Sequence, residues 1–124
     1  MTFENEFTDW MTRLNKNEKP DKDILAFNFG LFETTEGYTI YLVGAKEYDE
    51  DDEDWATEVD FEPTEKYWAI DPEETKGLEW NQVLDKAVKV VTKYVQSNDF
   101  KTSILKDAKA VTTGFDDGNL TRIK

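Results

Sequence analysis

The side chains best equipped to do chemistry in this sequence are its carboxylates: 28 Asp and Glu in 124 residues, with no histidine and no cysteine. Two carboxylates at a working separation run glycoside or phosphate chemistry, one as general acid and the other as base or nucleophile. The missing cysteine removes thiol nucleophiles, disulfides and zinc–thiolate sites, and the missing histidine removes the commonest general base and metal ligand. With so many acids, pairs mean little in themselves. Only Glu79 and Asp85 flank an apolar helical stripe, the setting in which a carboxylate becomes a general acid. The sequence has no GxSxG, no Walker A and no dinucleotide fingerprint, and Gly30, Gly37 and Gly44 are spaced too widely to cradle a phosphate. The expectation is a protein without catalytic residues or cofactor.

Position says more than number. Eleven acids fall between residues 47 and 65, in EYDEDDEDWATEVDFEPTE, with no Lys or Arg among them. The other 105 residues hold 17 acids against 15 bases, so nearly all of the net charge of −13 sits in one window. A charge run of this kind is either a solvated loop held extended by self-repulsion or a docking surface for a cationic partner. Trp55, Val59 and Phe61 favour docking, because a large aromatic inside an anionic rim is the expected form of an interface hot spot, with the charges steering encounter. Trp55, Thr57, Val59 and Phe61 also alternate at period two, so 55–61 reads as a strand leaving an acidic loop. The candidate partner-binding residues are Tyr48, Asp49, Asp51, Asp52, Asp54, Trp55, Glu58 and Asp60.

A calcium loop starting at Asp49 would place Asp49, Asp51 and Glu53 at its first, third and fifth positions. It would then put Asp54 where glycine makes the sharp turn and Asp60 where a bidentate Glu is usual, without flanking helices, so no metal site is expected. The acidity also argues against nucleic acid, which needs cationic surface to displace counterions, and against anionic lipid. Residues 1–11 carry Glu4, Glu6 and Asp9 and lack the basic and apolar regions of a leader, and no apolar run reaches a membrane-spanning length. A cytoplasmic protein is expected.

The elements follow from periodicity. Phe3, Phe7, Trp10, Met11 and Leu14 form one helical stripe. Residues 24–33 and 38–45 alternate as an antiparallel hairpin with aromatics on both faces, so these strands are central or one face is a binding surface. A short strand is expected over 67–70. Asp71-Pro72-Glu73-Glu74 is a helix start, and Trp80, Leu84, Ala87, Val88, Val91 and Val95 mark a second long helix. Lys86, Lys89 and Lys93 lie off that stripe, as a solvated face or a basic patch. The tail reads as two short strands around Asp116-Asp117-Gly118-Asn119, a hairpin turn in which the two aspartates are turn formers before they are ligands or catalysts. The sum is a single α+β domain over 1–124: an antiparallel sheet of about five strands with two main helices, ordered α-β-β-β-α-β-β.

The hairpin of 24–61 running into YDEDDEDWATEVDF, with the closing GFDDGNL, resembles small acidic bacterial immunity proteins of polymorphic-toxin and contact-dependent inhibition loci. The resemblance implies a stoichiometric complex with a cognate toxin domain, a basic protein such as a nuclease, whose substrate surface the acidic protein occludes, with contacts around Asp54-Trp55. On this reading the protein is a monomer or weak homodimer. A non-toxin acidic adaptor or nucleic-acid mimic would need the same charge, and a carboxylate-dependent hydrolase would need two acids held in one concavity.

Overall fold

Helix α1 (Phe3–Asn17) starts at Thr2, whose hydroxyl accepts the Asn5 amide at 3.1 Å, and it buries Phe3, Phe7, Trp10, Met11 and Leu14, the stripe read from the sequence. The structure, a computed structural model, describes residues 2–116 and 118–124. Strands β1 (Ala26–Thr34) and β2 (Gly37–Ala45) form the expected hairpin. After a long excursion, β3 (Tyr67–Ala69) adds to β2. Helix α2 (Pro72–Thr75) is capped by Asp71, whose carboxylate accepts the Glu73 amide at 3.0 Å, and Gly77 at φ 78° turns the chain into α3 (Trp80–Val95). Strands β4 (Ala110–Phe115) and β5 (Thr121–Arg122) complete a five-stranded sheet of order β3-β2-β1-β4-β5. The protein is α+β, and no helix among the described residues is long and apolar enough to cross a membrane.

Four expectations are corrected. The sheet is mostly antiparallel but not wholly so, because β4 lies parallel to β1. A parallel neighbour needs a crossover, and α3 with the 3-10 turn Asp99–Thr102 returns the chain to the end of the sheet from which β1 starts. Residues 55–61 are not a strand: Glu53–Thr57 form a 3-10 turn, and Phe61 alone bridges to β2, at Gly44. The cause is local, since the Asp52 carboxylate accepts the Asp54 amide at 3.0 Å, a side-chain cap that competes with ladder pairing. The buried face of α3 is Val83, Ala87, Val90, Val91 and Tyr94, while Trp80 is 62% exposed. Tyr94 fixes this rotation, because its hydroxyl accepts the Asn15 amide at 3.0 Å, and the same Asn15 accepts the Ile104 amide at 3.0 Å. Finally, β4 and β5 pair antiparallel from Thr113 opposite Thr121, so a two-residue Asp-Gly turn does not close them. The expected turn role of Asp117 lies outside the described residues.

The main core lies between the helices and one sheet face, where Phe7, Trp10 and Phe29 pack with ring centroids 5.4–6.1 Å apart around Trp68. The Trp10 indole donates to the Glu65 carbonyl at 2.9 Å, which ties the segment before β3 to α1. Two lysines of α3 are occupied structurally: Lys86 donates to the Glu74 carbonyl at 3.0 Å, and Lys93 pairs with Glu4 at 2.7 Å. Among the described residues, no α-helix packs on the opposite sheet face; the 3-10 turn around Trp55 does. A row of register partners, Ala45, Ala26 and Ala110, crosses β2, β1 and β4 at one end of that face.

Candidate functional site

The acidic segment is a closed loop. It leaves β2 at Ala45 and returns at Gly44, whose carbonyl accepts the amides of Asp60 and Phe61 at 2.9 and 3.1 Å, and the Asp60 carboxylate accepts the Lys46 amide at 2.7 Å. A loop with joined ends packed by its own side chains is the Ω-loop arrangement. Trp55 pins it: the indole is 6% exposed and packs with Ala26, Ala45 and Ala110, whose methyl groups leave room for a flat ring. Tyr48 packs edge-on against Trp55 at 5.2 Å, and the Arg122 guanidinium lies 5.1 Å from the Tyr48 ring. The indole offered by the sequence as a partner contact thus packs on its own sheet, where it anchors the loop, while still lining the basin described next.

The acids divide by what they hold. Seven of the eleven have structural partners: Asp49 and Asp52 accept turn amides, Asp60 accepts Lys46, Glu53 accepts the Leu120 amide, and Glu50, Glu62 and Glu65 pair with Arg122, Lys66 and Arg13. Hydrogen bonding to the Arg13 guanidinium lowers the Glu65 pKa below the usual carboxylate range. Glu47, Asp51, Asp54 and Glu58 have no side-chain partner among the described residues. Of the eight residues singled out in the sequence, Tyr48, Asp49, Asp52, Asp54, Trp55 and Glu58 line one basin of about 700 Å³, together with Leu25, Lys46 and Glu47. Asp51 and Asp60 lie outside its lining. Five carboxylates thus converge on one concavity that holds a single cation, Lys46.

On the other side of Asp54 a second cleft, of about 740 Å³, crosses the same sheet face between the acidic loop and the β4–β5 connection. Its floor exists because Gly30 and Gly114 are register partners: the Tyr41 ring lies on Gly30, where a Cβ would stand 2.1 Å from Cζ, and the 119–120 backbone lies on Gly114. The Tyr41 hydroxyl donates to Asp116 Oδ1. Burial, and then the Asp116 carboxylate, push the Tyr41 pKa well above the usual tyrosine range. The unfolded chain loses this proton near pH ~10 while the folded state keeps it, so stability falls as pH rises past that point. Tyr41→Phe should flatten that alkaline decline in thermal melts between pH 9 and 11. An unchanged slope would show that the hydroxyl does not couple to folding.

Among the described residues no group of three or more His, Cys, Asp or Glu could hold a metal ion. Glu79 sits at the start of α3, where its backbone amide donates to Gln82 Oε1 at 2.9 Å, and Asp85 is exposed on that helix; neither lines the basin or the second cleft. The sequence reading did not single out Asn28, Phe32 or Tyr67 of the second cleft. Its signal for them was the aromatic character of both hairpin faces. No protein-family model matches the chain, and comparison with curated proteins and with solved structures yields no match.

Proposed function

We propose that the protein is a bacterial immunity protein, which acts in the cytoplasm by binding a cognate basic toxin domain, such as a nuclease, and covering its substrate surface. The observation that carries this reading is the convergence of five carboxylates on one basin of a loop that Trp55 and the Gly44 bonds hold in place. A pre-ordered anionic surface loses little conformational entropy on binding, and it attracts a cationic cleft that has evolved for phosphates. It competes with the toxin's substrate by occupancy and needs no catalysis of its own. The protein acts as a monomer or weak homodimer, with one toxin domain per chain.

The test is co-expression of the tagged protein with the product of the adjacent gene. Retention of a basic, toxin-like protein, with loss of its toxicity in cells, is the expected result. If the neighbour is a housekeeping protein, or nothing basic is retained, the immunity reading fails. Retention of a basic housekeeping protein would identify the chain as an acidic adaptor instead.

A further inference from the structure

We propose that the cleft between the acidic loop and the β4–β5 connection, lined by Asn28, Tyr41 and Tyr67, receives an arginine side chain, together with a backbone carbonyl, from a loop of the partner. This inference rests on the reading above that the partner is a basic protein, and it adds a second, specific contact beside the acidic basin.

Three independent features point to this occupant. Glu53, Asp54 and Asp116 line the cleft, and its one cation, Lys66, is already paired with Glu62 at 2.7 Å, so the lining is anionic. Phe32, Tyr41 and Tyr67 form a triangle of rings with centroids 6.0–6.1 Å apart, and the Lys66 ammonium rests 5.6 and 5.2 Å from the Tyr41 and Tyr67 rings. These rings therefore already accept a cation, and Tyr67, at 54% exposed, leaves surface for another. A planar guanidinium stacks on such a ring while its fork donates to a carboxylate, which an ammonium does not do in the same geometry. The third feature is Asn28 on the cleft floor, 4% exposed. Its Oδ1 accepts the Thr112 hydroxyl at 2.9 Å, and its NH2 donates to no acceptor among the described residues. This NH2 is not sealed off from solvent but opens on the cleft, where the backbone carbonyl of an arriving loop can accept from it.

The probe is the tripeptide acetyl-Gly-Arg-Gly-amide, titrated into the 15N-labelled protein and compared with its citrulline and lysine counterparts. Arginine should shift the amides of Gly30, Tyr41, Tyr67 and Asp116 with a dissociation constant on the order of millimolar, as expected for so small a ligand. Citrulline, an uncharged near-isostere, should bind at least about ten-fold more weakly, the loss of one charge-assisted contact. Asp116→Asn, whose amide oxygen still accepts the Tyr41 hydroxyl, and Tyr67→Ala, which gives up its packing on Phe32 and Tyr41, should each weaken arginine binding about three- to ten-fold, compared at a temperature where thermal melts show each variant fully folded. Equal binding of citrulline or lysine, shifts confined to residues 47–58, or indifference to both variants would overturn the assignment. The tripeptide needs no toxin, so the two readings fail separately. If it seats here while the adjacent gene product is not retained, the immunity reading falls alone. If the partner is retained and the tripeptide misses the cleft, the cleft assignment falls alone.

Discussion

Trp55→Ala should lower Tm by roughly 10 °C, from a loss of about 3 kcal/mol, the lower end for emptying an aromatic core site. The lower end applies because the indole sits in a small cluster of three alanines and Tyr48 rather than in the main core. Against a typical domain stability of about 5–15 kcal/mol the variant still folds. What should fail first is the loop: hydrogen-exchange protection at Lys46, Asp60 and Phe61 should fall, while β1 amides keep theirs. Any loss of partner affinity would then follow from disorder of the basin. Trp55→Phe should recover part of both losses. If alanine leaves Tm and loop protection unchanged but weakens partner binding sharply, Trp55 is a direct contact after all, and the packing on the alanine row does not hold the loop.

Reversing three of the four unpartnered charges, Asp51, Asp54 and Glu58, to lysine should slow association with the adjacent gene product about 10- to 100-fold at low salt. The change moves the net charge from −13 toward zero by six. The deficit should shrink as salt is raised, because exposed charges are screened beyond about 8 Å at physiological ionic strength. Dissociation and Tm should change little, since these side chains have no partner among the described residues. The choice of residues matters. Reversal at Asp49, Asp52 or Asp60 would also break the turn bonds that these carboxylates accept, and would mix a folding effect into the rate. An unchanged association rate in the triple variant would remove the basin from the binding account.

The parts of the fold legible in the sequence are those written in nearest neighbours along the chain. The α1 stripe, the Asp71-Pro72 cap and the alternating β1–β2 hairpin each need only a helical or strand period and a turn residue, and the structure matches them. The parts misread were those with two local solutions. Residues 55–61 alternate like a strand, but the adjacent aspartates supply caps that bend them into a 3-10 turn. The valine-rich α3 offers two apolar faces a small rotation apart, and the Asn15–Tyr94 hydrogen bond, between residues far apart in sequence, selects one.

The same division runs through the candidate site. Its chemical character was already present in the one-dimensional order of residues: an acidic window in an otherwise nearly neutral chain, without histidine or cysteine. Charge is additive and survives any fold, so its sign and place could be read directly. What Trp55 does could not be, because Ala26, Ala45 and Ala110 become one surface only through strand register. Nor could the aromatic cleft, which exists because Gly30 and Gly114 pair across a parallel crossover and leave no side chain under Tyr41 and residues 119–120. Glu50, Glu53 and Glu65 were likewise assigned their structural roles by long-range contacts, with Arg122, Leu120 and Arg13, because a carboxylate's role depends on the donor it meets.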